Sequence, residues 1–206
     1  MAKVVTTTGD DPVQEEILRA ALQLYQKFGT RGITMDDLAT ATGRSRSSLY
    51  YYYKSHDEIF QAVLDTIVKN IAVEIRQAVA GAKTVNDKIY TFCIAKLKAS
   101  ENWKEVLHAM WSSINVEEQS KKTKDINALH KKIMHQEGII VKEILASAIS
   151  KKEIRPITVT EQDMLTFIIS SGIRGIRDEI NYHNDPHNIK EAMHMVTDMI
   201  TSWLKG

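Results

Sequence analysis

The sequence predicts an all-α protein in which a compact helix-turn-helix region precedes a larger helical region. Three observations predict it. Among 206 residues there are only three prolines and nine glycines, so little interrupts a helix. Apolar residues recur at spacings of three and four, and no convincing alternation marks a strand. Helix starts and stops crowd between Gly29 and Glu58, which sets short helices there and long ones afterwards.

Residues 1–11, with threonines, Gly9 and two aspartates, lack apolar content and are expected as a flexible tail. Pro12 suits the first turn of a helix whose broad apolar face carries Ile17, Leu18, Ala21, Leu22, Leu24, Tyr25 and Phe28, with Gly29 as its stop. Thr34 then stands as an N-cap with Asp37 three residues on, opening a short helix that Gly43 ends. Ser45 can cap a second short helix. Ser55 and Glu58 are placed as a capping box for a long helix with Ile59, Val63, Ile67 and Ile71 along one face. Longer helices follow, at about Val85–Ala99, Asn102–Val116, Lys124–Ser150, Glu161–Tyr182 and Pro186–Leu204. The division expected is a tail at 1–11, a helix-turn-helix domain at 12–56 and a larger helical domain at 57–206.

The stretch TMDDLATATGRSRSSLYYYY has the pattern of two short helices around a tight turn, with Leu38, Ala39 and Leu49 inward and Gly43 at the turn. An α-helix fits the major groove, where each base pair shows its own donors, acceptors and methyl group. At about 100° per residue, setting Leu49 inward puts Tyr53 on its side and Ser47 and Tyr51 opposite. Tyr50, Tyr52 and Ser48 flank the outer face. Their phenols, beside Arg44, Arg46 and Lys54, are suitable phosphate contacts. Each tyrosine could equally be a packing residue, and Ser45 and Ser55 could be caps alone. Five basic residues (Lys27, Arg31, Arg44, Arg46, Lys54) against Asp36 and Asp37 make this a mildly positive stretch within a chain of net charge +1.

Residues 13–60 resemble the N-terminal domain of the TetR family of bacterial transcriptional regulators. The likeness is carried by an ordered series: Y-Q-K-F-G followed by G-I-T, then M-D-D-L-A-T-A-T-G, then R-S-R-S-S-L-Y-Y-Y-Y-K-S-H-D-E-I-F. Tyr53 stands where the family commonly has phenylalanine, and His56 where it commonly has a basic residue. The resemblance implies a recognition helix at about Arg46 to Tyr52, with Arg46, Ser47 and Tyr51 as base contacts. It also implies that Thr34, Ser45, Ser48, Tyr50, Tyr52, Lys54 and His56 position the protein on the DNA backbone.

Beyond about residue 60 the chain says less. One stripe is Leu165, Ile168, Ile169, Gly172, Ile173, Ile176 and Ile180, and another is Ile189, Met193, Val196, Ile200, Trp203 and Leu204. Either stripe could be plain core. The family reading is a homodimer interface built from Leu165, Ile169, Gly172, Ile173, Ile176, Met193, Val196, Ile200 and Trp203, presenting two reading helices to a palindromic operator. The family habit also implies a small-molecule effector site. Phe92, Cys93, Trp103, Leu107, His108, Met110, Trp111, Met134 and Phe167 are the candidate lining, and the residues themselves leave core and cavity both open. The helix from about Asp57 to Val79 is the candidate lever between effector and DNA.

No run is apolar enough to span a bilayer, the richest being LTFIISSGI, and no signal-peptide core precedes residue 12, so a cytoplasmic location is expected. Neither a P-loop, a G-x-S-x-G, an HExxH nor a cysteine pair occurs. Cys93 sits among apolar neighbours, and His183 and His187 straddle Pro186, which spoils a shared metal-binding face. The expected protein is therefore a ligand-responsive repressor binding DNA as a dimer, with no metal, cofactor or catalytic residue. The alternatives are a DNA-binding regulator governed by a protein partner and, from another class, a helical enzyme.

Overall fold

The computed structural model describes residues 11–29, 33–112, 119–183 and 189–206. Within them lie eight α-helices and no strand: α1 (Pro12–Phe28), α2 (Met35–Thr42), α3 (Arg46–Tyr52), α4 (His56–Ala80), α5 (Val85–Ser112), α6 (Gln119–Ser150), α7 (Val159–His183) and α8 (Ile189–Lys205). Arg31, Pro186 and His187, together with the tail through residue 10, fall outside the described residues.

Local signals set most of the boundaries. Asp11, expected in the tail, caps α1 by accepting from the Val13 N–H, with Pro12 in the first turn. Thr34 and Asp37 form a reciprocal capping box at α2, and the hydrogen bonds from Thr34 hold the Asp37 carboxyl below its usual range. Thr84 with Asp87 and Thr158 with Glu161 repeat the device ahead of α5 and α7. The expected break near Ser100 does not occur. Neither Gly nor Pro stands there, and burial of Ala99 and Trp103 on either side favours one continuous α5.

The helices assemble into two compact units. One reaches through Asn70 and takes in Glu101–Lys132; the other comprises Ile71–Ser100 and Ile133–Gly206. Thus α4, α5 and α6 each contribute residues to both. In the first unit α1 packs on α2 and α2 on α3 around Ile17, Ala21, Tyr25, Leu38, Leu49, Ile59 and Val63. Phe28, assigned to the apolar face of α1, is instead 56% exposed and lies beside Lys27.

In the second unit Ile75, Val85, Ile89, Phe92, Ile144, Leu145, Ile169, Ile173 and Met193 are buried. There α6 and α7 approach closely: a Cβ on Gly138 would stand 3.3 Å from Thr166 Cγ2. A buried ion pair also sits in this unit. Lys96 Nζ of α5 donates to Glu137 Oε2 of α6 at 2.5 Å and to the Ser170 carbonyl of α7 at 3.2 Å. Desolvation lowers the lysine pKa even though Glu137 opposes that shift.

Candidate nucleic-acid interface

The turn between α2 and α3 depends on one backbone conformation. Gly43 has φ 64° and ψ 23°, the left-handed region that a side chain disfavours, and its N–H returns to carbonyls of α2. Ser45 Oγ then accepts from the Ser48 N–H and starts α3. With Leu49 fully buried and Tyr53 7% exposed, the inner side of α3 is fixed.

Its outer side is open. Tyr51 is 82% exposed and Tyr50 44%, while Ser47 and Arg46 are also exposed. The ring of Tyr51 meets that of Tyr52 edge to face, 5.0 Å between centres. Exposed Thr34 and Ser45 serve as caps, and the exposed Lys54 uses its backbone N–H to donate to Glu58 Oε2 at 2.6 Å. Ser48 is half-buried.

Three of the candidate contact groups have intramolecular partners that spacing along the chain does not reveal. Arg44 Nη2 lies 2.6 Å from Glu16 Oε2, tying the turn to α1. The Tyr52 hydroxyl donates to Asp11 Oδ2 at 3.1 Å, and burial followed by that bond raises its pKa. His56, expected as a phosphate contact, is half-buried against α1. Its Nε2 is 3.1 Å from the hydroxyl of buried Tyr25, and the two rings meet edge to face. Burial, then the charge of Asp57, raises the Tyr25 pKa, so the phenol keeps its proton. Arg46, by contrast, pairs with Asp36 on α2 at the open surface. The acidic partners Asp11, Glu16 and Asp36 were not anticipated as members of this site. The signal available was that each lies near a helix start facing the basic stretch.

The candidate effector lining divides between the units. Trp103, Met110 and Trp111 are buried in the first, with Leu107 half-buried; Phe92 and Cys93 are buried in the second, with Met134 half-buried. His108 and Phe167 depart from the expectation, since both are exposed, Phe167 by 62%. Burial pushes the Cys93 thiol up to about 12, which suits an inert core residue. No cluster of metal-ligating side chains occurs among the described residues.

The α7–α8 stripes also resolve into two faces. Leu165, Ile169, Ile173, Met193 and Ile200 are buried within the second unit, Ile176 and Val196 are half-buried, and Gly172 and Trp203 are exposed. A neighbouring face is apolar and open: Met164, Phe167, Ile168, Met195, Met199 and Trp203 are each 47% exposed or more. A groove of about 270 Å³ runs there, bordered by Met164, Ile168, Met199, Trp203 and Glu161. Met164, Met195 and Met199 were missed because they lie one helical position from the stripe that fills the core. No helix among the described residues is long and apolar enough to cross a membrane.

Comparison with known proteins agrees with this geometry. Residues 17–63 match the model for bacterial regulatory proteins of the tetR family, a span containing α2 and α3 whole. The HTH-type transcriptional regulator YfiR of Bacillus subtilis (strain 168) is 35% identical over 66 residues, 32% of each chain. The HTH-type transcriptional repressor AcnR of Corynebacterium efficiens is 31% identical over 78 residues, 33% of this chain and 42% of AcnR. Both matches thus span less than half the relative's length. Across the whole fold, the fatty acid degradation regulator FadR from Bacillus halodurans superposes with a TM-score of 0.54 at 14% identity, covering 97% of each chain. Residues 17–63 carry the helix-turn-helix domain of the tetR family of bacterial regulatory proteins, and a larger helical region follows it.

Proposed function

We propose that the protein is a transcriptional repressor that binds a palindromic operator as a homodimer and is released by a small-molecule effector. The observation that carries the DNA-binding part is the outward row Arg46, Ser47 and Tyr51 on a helix whose other side is locked by Leu49 and Tyr53. Arg46, Ser47 and Tyr51 meet base edges. Lys54, Tyr50, Ser48 and the capped ends at Thr34 and Ser45 lie along phosphates, and Arg44, Tyr52 and His56 serve chiefly to fasten the reading unit to α1. AcnR, similar over this domain, is named a repressor, and that favours repression over activation.

Dimerisation is supported by the open apolar face of α7 and α8, which exceeds what scattered surface residues produce. A two-fold pairing there presents two α3 helices to half-sites about 34–36 Å apart, one turn of DNA. The effector is received by the aromatic and methionine-rich middle helices. It acts by favouring an arrangement of reading helices that no longer matches that spacing, with α4 as the element common to both units.

Enrichment of randomised duplex DNA by the purified full-length protein tests the reading. A palindromic motif protected at two half-sites is expected; no enriched sequence sinks it. Met199→Glu, placing a charge on the open face, is expected to turn a dimer in sedimentation into a monomer and to weaken palindrome binding together with it.

A further inference from the structure

We infer that Arg46 reads a guanine in each half-site and that Asp36 positions it for that task, which makes Asp36 a specificity-determining residue that itself touches no base. The inference rests on the DNA-binding reading above and names the base. Arg46 opens α3 and keeps 56% of its side chain exposed, and Asp36, on α2, keeps 64%. The carboxylate holds the guanidinium through one hydrogen bond, Nη1 donating to Oδ2 at 3.2 Å, with Nε 3.2 Å from Oδ1. On its other flank the guanidinium carbon lies 5.9 Å from the centre of the Tyr50 ring. The side chain is thus bracketed by a carboxylate and an aromatic ring, both belonging to the helix-turn-helix itself.

A guanidinium has five N–H groups in a planar fork. With one donated to Asp36, four remain, enough for a forked pair of bonds to a base. Guanine is the base whose major-groove edge carries two neighbouring acceptors, O6 and N7; adenine offers one acceptor beside a donor, cytosine a donor, and thymine one acceptor beside a methyl group. A forked donor held still therefore matches guanine. An untethered arginine, by contrast, bonds any phosphate within reach, which adds affinity without sequence preference.

Asp36 works against that promiscuity in two ways. It restricts the side chain before DNA arrives, so less freedom is lost on making the base contact. Its negative charge also disfavours phosphate on the same side of the fork, a built-in penalty against wrong partners. As both members are mostly exposed, the pair contributes little to folding. Substitutions here are therefore read out on DNA rather than on stability.

The test is enrichment of a randomised duplex pool by the full-length wild type and by Arg46→Ala, Arg46→Lys, Asp36→Asn and Asp36→Glu, each checked for an unchanged melting transition. The wild type is expected to select guanine at one symmetry-related position per half-site. Arg46→Ala and Arg46→Lys are expected to lose that preference by about tenfold or more while the remaining positions stay as they were. Asp36→Asn is expected to relax the same position several-fold and to bind the unselected pool more tightly, and Asp36→Glu to recover part of the preference. A wild-type motif with no guanine at the position that Arg46→Ala alters overturns the base assignment. Asp36→Asn selecting guanine as strongly as the wild type overturns the positioning role. If the wild type enriches nothing, the DNA-binding reading itself falls, and this inference with it.

Discussion

Two exposed ion pairs of the helix-turn-helix region and one buried ion pair of the second unit are built from the same kinds of residue and differ in what surrounds them. Arg44 with Glu16 and Arg46 with Asp36 keep between 31% and 64% of their side chains in solvent, whereas Lys96 and Glu137 keep 11% and 4%. An exposed charge exchanges one partner for another at small cost, and a phosphate or a base edge is such a partner. A buried charge has no substitute within reach. Lys96 and Glu137 therefore fix how α5, α6 and α7 meet, while the exposed Arg46–Asp36 pair can trade its partners at small cost.

The largest expected effect tests the buried side of that contrast. Lys96→Ala leaves Glu137 buried without its cation and should cost about 3–5 kcal/mol in urea denaturation, with Lys96→Met plus Glu137→Leu recovering most of it. A single mutant as stable as the wild type would erase the distinction. Next comes the exposed side. Tyr51→Ala should weaken operator binding about tenfold with an unchanged unfolding midpoint, because the ring is 82% exposed. A shifted midpoint would make Tyr51 a packing residue instead. Gly43→Ala should cost about 1–2 kcal/mol, since its φ of 64° disfavours a side chain while open space surrounds the added carbon.

The smallest effect concerns a half-buried carboxylate in the second unit. Hydrogen bonds from the Thr158 N–H, from Arg155 and from the Thr158 hydroxyl hold Glu161 at about 2, below the ordinary 4.5. A folded value below the unfolded one means that the stabilisation is complete above about 4.5 and is lost as pH falls toward about 2. Glu161→Gln should flatten the stability profile across that window, as followed by thermal melts. An identical acid limb in wild type and variant would count against it.

How far the sequence reveals this structure depends on the distance over which each decision is made. The caps at Thr34 and Ser45 and the turn at Gly43 are settled within three or four residues, and so is the opposition of Tyr51 and Tyr53 around one helix. They are legible for that reason. The partners of Arg44, Tyr52 and His56 lie 28, 41 and 31 positions away, and no local rule pairs them. Lys96 and Glu137, 41 positions apart, left only a faint sign: a lysine set three and four residues from Cys93 and Phe92 on an inward face. The apolar stripes of α7 and α8 were visible, but each is wide enough for two contacts. Only packing shows that Leu165 and Ile169 face the core while Met164 and Ile168 stay open.

The cap that Ser45 places on α3 has a consequence for how such a regulator changes its target. With the start of the helix secured through Ser48, and its back secured by Leu49, neither Ser47 nor Tyr51 has a structural duty that another residue type would violate. On the proposed reading, those two positions are interchangeable letters on a fixed plate, and a duplicated copy could change its operator there one substitution at a time with the fold intact.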